Sequence, residues 1–224
     1  MGRYNLLPGM SKVTTKLSER TEELINFDKR IFFIFLVATF ILIRYLTNQI
    51  ILQAIPGHEQ LERDGSLTFF YIFNTFNYLW TPFALLWKFT LSAFLLWVGA
   101  FIFGHKISFR DLWKFVLVAE LIFIFPELIR LLWFLVEPPM SYLEIKDFHP
   151  LSLYSLVNSG HIHPRYHYPL QAINLFELLY CVILSVGIHM LSRRSLEQSF
   201  ILVICSYGIG FIVWLFYYAM VYKG

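Results

Sequence analysis

The chain has 224 residues, of which 58% are apolar and 15% are charged, and its mean hydropathy is +0.60. Soluble domains carry about 25% charged residues, so this composition excludes an ordinary soluble domain and predicts an all-α, polytopic membrane protein. The formal net charge of +3 is too small to indicate a nucleic-acid partner. The two cysteines, Cys181 and Cys205, form no CxxC motif and no disulfide framework, and are interpreted as packing residues.

The N-terminal residues 1–30 are polar and predict a cytoplasmic tail. Leu17, Leu24 and Ile25 fall at helical spacing, which favours a short amphipathic helix on the membrane surface. A solvated tail with a helical patch is the alternative. Residues 31–224 are then predicted to form one transmembrane domain of five helices, because five apolar stretches each exceed the roughly 20 residues that cross a bilayer. The predicted spans are approximately 31–54, 79–103, 112–136, 170–191 and 199–222.

The connectors between these spans differ in character. Residues 55–78 are polar at first and then aromatic, and the stretch from Leu67 to Trp80 predicts either an interfacial helix or an early start of the second span. The longest connector, 137–169, contains Pro138, Pro139, Pro150 and Pro164, which prevent one continuous helix.

The distribution of lysine and arginine predicts the orientation in the membrane. Outside the spans these residues concentrate in the N-terminal tail and in the second and fourth connectors. The positive-inside rule then places the N-terminus in the cytoplasm and the C-terminus outside, and we expect a bacterial inner membrane protein.

Apart from Lys114, which belongs to the flank of the second connector, six charged side chains fall inside the predicted spans. Charge in hydrocarbon costs several kcal/mol, so these groups require partners, water or a neutralising proton. A rise of about 1.5 Å per residue sorts them by depth into two electrically neutral sets. The predicted outer set is an outward-facing polar pocket of Arg44, Glu127, Arg130 and Glu177, and the predicted deeper ion pair is Lys88 with Glu120.

The third predicted span carries three of these charges. Glu127 and Arg130 lie three residues apart and can meet on one helix face, while Glu120 lies two turns below Glu127 on nearly the same face. Pro126 removes one backbone hydrogen bond and can kink the helix there. The alternative to a functional pocket is that these charges are structural ion pairs that fix helix register, or arginines that reach toward the interface.

Histidines in the third connector predict a possible metal site. His161 and His163 alternate along the chain as two ligands of an extended segment would, and His167 lies close by. Glu127 or Glu177 would complete the ligand set. No HExxH motif is present, and the neighbouring tyrosines equally fit an interfacial segment. No cofactor is therefore required by the sequence, and a divalent metal is the one candidate.

One stretch resembles a known family. The segment Phe-Gly-His-Lys-Ile-Ser-Phe-Arg-Asp-Leu-Trp, from Phe103 to Trp113, is similar to the Gly-x-Lys-x-Ser-Phe-x-x-Leu stretch of bacterial Yip1-like membrane proteins. Pro126, midway along the following apolar segment, also fits. The resemblance covers residues 100–135, and the tail lacks the Asp-Leu-Tyr-Gly-Pro element of eukaryotic members. It implies five spans and a non-enzymatic protein that acts through partners or bilayer organisation.

Three functions are compatible with these patterns. The first is an accessory subunit of a membrane assembly, without a reaction of its own, whose partners are lipid and other membrane subunits or copies of itself. The second is a component of a transporter or exporter in which the intramembrane Arg/Glu cluster lines the path. The third is a metal-dependent membrane enzyme that uses the histidine-rich connector. No nucleotide-binding motif or nucleophile elbow is present to favour a further class.

Overall fold

The computed structural model describes residues 28–54, 57–137, 145, 148–157 and 162–222, so nearly all of the predicted tail and the histidine at 161 lie outside the described residues. These residues are helical, and no β-strand occurs among them. Nine α-helices are described: α1 Lys29–Ala54, α2 His58–Arg63, α3 Thr68–Ile102, α4 Phe109–Ala119, α5 Ile124–Val136, α6 His167–Ala172, α7 Leu175–Ser192, α8 Leu196–Val203 and α9 Ile209–Val221. Three 3-10 turns, Glu120–Phe123, Leu153–Leu156 and Pro164–Tyr166, and a π turn, Ile204–Gly208, complete the order.

Four helical segments are long and apolar enough to cross a membrane: Lys29–Gln53, Thr68–Ile102, Leu175–Ser192 and Leu196–Val221. The last of these joins α8, the π turn and α9. Most of the large apolar side chains of α9 are exposed, as expected where lipid replaces water around a helix. The all-helical class is therefore confirmed, and the four helices indicate a membrane protein.

The second of these helices starts earlier than the predicted span. Its 35 residues from Thr68 to Ile102 form one continuous helix, so the aromatic stretch that follows Leu67 belongs to it rather than to a separate interfacial helix. At about 1.5 Å per residue it is roughly 52 Å long, well beyond a hydrocarbon core of about 30 Å.

The predicted span 112–136 is divided. The chain is α-helical in α4, tightens into a 3-10 turn over Glu120–Phe123, and resumes as α5. Pro126 explains the position of the break, because proline lacks the N–H that would bond the carbonyl four residues earlier and its ring crowds that carbonyl. Neither α4 nor α5 alone has the length of a span, so the count of five stays a prediction that depends on the whole 109–136 segment.

The core lies where α3, α4, α7 and α8 meet, with α1 packed on one side. Two glycines allow the closest approaches. A Cβ on Gly99 of α3 would lie 2.5 Å from the Cβ of Ser206, and one on Gly187 of α7 would lie 2.0 Å from the ring of Phe115. Small residues therefore set the distance between these helices, as they commonly do in membrane bundles.

Candidate functional site

The first charged pair joins α1 to α5. Arg44 donates from Nε and Nη2 to Oε1 of Glu127, at 3.0 and 2.9 Å. A longer contact of 3.4 Å runs from Arg44 Nη1 to the hydroxyl of Thr81 on α3. The two side chains are 43% and 21% exposed, although both lie in long apolar segments, because they border a cavity.

The second charged pair lies deeper and joins α3 to the 3-10 turn. Lys88 Nζ is 3.0 Å from Oε2 of Glu120, whose side chain is completely buried. The hydroxyl of Tyr180 on α7 donates to the other carboxylate oxygen at 2.9 Å. The Lys88 ammonium also lies 3.1 Å from the ring centroid of Phe123, where the π face stabilises the cation. Both oxygens of Glu120 are thus occupied.

Glu177 lies apart from the other members of the predicted outer pocket. It accepts a very short hydrogen bond from Tyr207, and its backbone N–H is capped by the side chain of Asn174. The Tyr207 ring meets that of Tyr180 edge to face at 5.4 Å, so Glu177 adjoins the deeper network. The predicted depth of Glu177 assumes a helix that begins at residue 170. The helix α7 begins at Leu175, so Glu177 lies in its first turn.

Arg130 on α5 differs from the other basic residues of the buried segments. Its guanidinium carbon lies 5.7 Å from the ring centroid of Phe134. Its Nε is buried and has no hydrogen-bond partner. Within the described part of the chain no carboxylate forms a salt bridge with it, since Glu127 pairs with Arg44. One partly buried cation therefore has no salt bridge with a described residue.

One cavity of about 410 Å³ lies between α1, α3, α5 and the start of α7, and it is bordered by Arg44, Lys88 and Arg130. Its polar lining includes Arg44, Lys88, Glu120, Glu127, Arg130, His149, Ser152, Gln171 and Asn174, and four phenylalanines supply apolar walls: Phe40, Phe123, Phe148 and Phe176. A second cavity of about 310 Å³ lies beside it. The two share Arg44, Glu127 and Arg130, so the first ion pair stands between them.

A segment of the long connector closes one side of the first cavity. Residues 148–150 and Ser152 line it, and Ser152 forms an antiparallel bridge with Asn174. The backbone bonds Leu153 N–Ile173 O and Leu175 N–Leu151 O are both 2.9 Å long. Because Asn174 also caps α7, one short pairing fixes both the connector and the start of that helix.

The predicted metal ligands do not form a cluster among the described residues. Nδ1 of His163 lies 3.4 Å from the N–H of Arg165, and Nε2 of His167 lies 3.2 Å from the carbonyl of Ile162. No group of three histidine, cysteine or acidic side chains within the described ranges is placed to hold a metal ion. His161 lies outside those ranges, so the metal prediction remains a prediction.

Several residues of the site were not predicted from the sequence. Tyr180 and Tyr207 donate hydrogen bonds to the two buried glutamates. Gln171 of α6 and His149 of the long connector line the cavity. A tyrosine in the middle of an apolar helix is a usable signal, because its buried hydroxyl needs a partner. Nothing in the sequence pattern indicates which connector residues fold back over the cavity.

The fold and the buried charges together define a class: a helical membrane protein with a charged internal cavity. No protein-family model matches the chain, and neither a curated protein nor a solved structure matches it significantly.

Proposed function

We propose that the chain is a five-span integral protein of a bacterial inner membrane and serves as a non-enzymatic binding subunit of a membrane assembly. In this proposal the segment 109–136 crosses the bilayer as the third span, with the N-terminus in the cytoplasm and the C-terminus outside. The concentration of Lys and Arg in the tail and in two connectors supports this orientation. The similarity of residues 100–135 to Yip1-like proteins favours a role through partners rather than a reaction.

One observation carries the proposal: the charges of the buried segments surround an open cavity instead of fully neutralising one another. If the ion pairs had only a structural role, every cation would be paired with a carboxylate and the helices around them would pack without a cavity. Here Arg130 has no carboxylate among the described residues, and the space it borders is within the 300–1,000 Å³ that ligand pockets occupy. Buried charge that the fold itself does not require indicates a binding role.

The test is purification of the tagged full-length chain from its native membrane, followed by mass spectrometry for proteins, lipids and metals. We expect a membrane protein at a constant stoichiometry with the wild-type chain, and its loss in Arg130→Gln. The matched control is Arg110→Gln, which makes the same change at an exposed position outside the cavity. A monomer that retains its cellular function without any partner would refute the subunit role, and stoichiometric metal would favour the enzyme alternative.

A transport component is the second candidate, and the two adjoining cavities favour it. The Arg44–Glu127 pair borders both, so parting these side chains would connect the two spaces. Flux across vesicles that contain the purified chain alone tests this role. Arg44→Leu would abolish flux while the protein stays folded, and the absence of flux for the wild-type chain with any tested solute would leave the binding subunit as the better proposal.

A further inference from the structure

We infer that the cavity beside Arg130 binds a phosphate group that carries one negative charge, from either a lipid headgroup or a free phosphate. This inference rests on the proposed binding role and specifies the ligand of the same cavity.

The charge of the ligand follows from the lining. Three basic and two acidic side chains border the cavity among the described residues, and both acids are paired: Glu127 with Arg44, and Glu120 with Lys88. Glu177, the other acid of the predicted pocket, does not line the cavity and accepts a hydrogen bond from Tyr207. Among the described residues, the lining of the cavity therefore has one positive charge in excess, which one monoanion would neutralise.

The shape of the ligand follows from the donors. A guanidinium presents a planar fork of N–H groups that fits an oxyanion. The buried Nε of Arg130 has no hydrogen-bond partner, and neither salt bridge of the described residues includes Arg130. Lys88 has three ammonium protons and contacts one carboxylate oxygen. Gln171 of α6 also lines the cavity, and its side-chain amide can supply N–H donors. Donors from three directions suit the tetrahedral oxygens of phosphate better than the two coplanar oxygens of a carboxylate.

The walls add a second requirement. Four phenylalanine rings border the same cavity as the cations, and its volume of about 410 Å³ exceeds the needs of a bare ion. A ligand with a charged group and an apolar portion would cover both kinds of surface. The lipid headgroup is therefore the source that we expect to bind more tightly, and free phosphate is expected to compete with it at the charged end.

The experiment measures ligand-dependent stabilisation of the full-length chain in an uncharged detergent. The probes are dioctanoyl-phosphatidylglycerol, uncharged dioctanoylglycerol, inorganic phosphate and octanoate. A ligand that binds the folded state raises Tm with its concentration, and titration calorimetry gives the Kd. We expect phosphatidylglycerol to bind, dioctanoylglycerol to have no effect, and inorganic phosphate to displace the lipid.

The variants locate the site. Losing a charged hydrogen-bond donor typically weakens binding by about tenfold to a hundredfold, which is expected for Arg130→Gln. Arg130→Lys keeps the charge without the fork and should fall between this variant and wild type, and Arg110→Gln should match wild type. Without ligand, Arg130→Gln should be at least as stable as wild type, because it removes a partly buried cation that has no salt bridge with a described residue. A large loss of Tm in this ligand-free variant would show that Arg130 is paired within the chain, and the inference would be wrong.

The two phosphate sources and the competing chemistry give separate outcomes. Binding of the lipid with displacement by phosphate supports a headgroup site, and tight binding of inorganic phosphate alone supports a free phosphate. Octanoate binding in the absence of any phosphate binding would overturn the inference in favour of a carboxylate. A chain that retains its stoichiometric partner but binds no phosphate probe loses only the ligand assignment, whereas loss of the partner with intact phosphate binding refutes only the subunit role.

Discussion

Replacement of Lys88 by methionine tests how much the buried carboxylate of Glu120 depends on its cation. The carboxylate is fully buried and has two partners, the ammonium at 3.0 Å and the Tyr180 hydroxyl at 2.9 Å. Lys88→Met leaves it with a single neutral donor. Removal of one member of a buried ion pair costs about 3–5 kcal/mol. Since the Lys88 side chain is 40% exposed to the cavity, we expect about 3 kcal/mol, the lower end of that range.

For a chain of this size, about 3 kcal/mol corresponds to a fall in Tm of roughly 6–12 °C. The assay is thermal unfolding of the purified chain in uncharged detergent, followed by the fluorescence of its six tryptophans. The double variant Lys88→Met/Glu120→Gln should recover much of the loss, because it removes both charges and leaves an amide that Tyr180 can still bond. Lys106→Met, at an exposed position, is the matched control.

Two results would refute this reasoning. A Tm for Lys88→Met close to that of the control would mean that water or a proton, rather than the ammonium, compensates the buried carboxylate. A double variant whose loss equals the sum of the two single losses would mean that the two groups do not interact energetically despite their contact.

Gly99→Ala should lower the stability by about 1–3 kcal/mol, because the new Cβ would lie 2.5 Å from that of Ser206 and the helices would have to separate. Gly208→Ala is the control in the same region, since its nearest contact would be 3.8 Å away, and equal losses of Tm for the two variants would contradict this packing argument. Burial, and then the nearby charge of Arg194, lower the pKa of His105. The folded chain therefore takes up this proton less readily than the unfolded chain, and stability is lost as the pH falls below about 6.5. His105→Gln should show a smaller decrease in Tm between about pH 7.5 and pH 5, and an unchanged decrease would show that other groups dominate.

The sequence predicts the helical class and the contact of Lys88 with Glu120 for related reasons. Composition alone requires apolar helices, and the polar residues between the second and third predicted spans mark the cytoplasmic end of each. Counting from those ends places the two side chains at similar heights, roughly 16 and 12 Å, and they are 3.0 Å apart. The same is true of Arg44 and Glu127, which form a salt bridge of 2.9 Å.

The placement of Glu177 could not be predicted in this way. Residues 170–174 are apolar enough to extend the span, but they form the end of α6 and the capping turn before α7. Where a helix begins there depends on the Ser152–Asn174 bridge, a contact between positions distant in sequence. The cavity is equally a product of tertiary structure, since its lining comes from α1, α3, α5, α6, the start of α7 and a folded-back connector.

The 3-10 turn at Glu120–Phe123 has a consequence for how the two acids of the 109–136 segment are directed. Seven residues of regular α-helix advance by about 700°, which would leave Glu120 and Glu127 only about 20° apart around the axis. Each residue of a 3-10 turn advances by about 120° instead of about 100°, so four such residues add about 80°. The carboxylates are thus separated by roughly 60° and address different neighbours, Glu127 toward α1 and Glu120 toward α3. With a regular α-helix in place of the 3-10 turn, both carboxylates would face the same neighbouring helix. Either Arg44 of α1 or Lys88 of α3 would then lose its salt bridge.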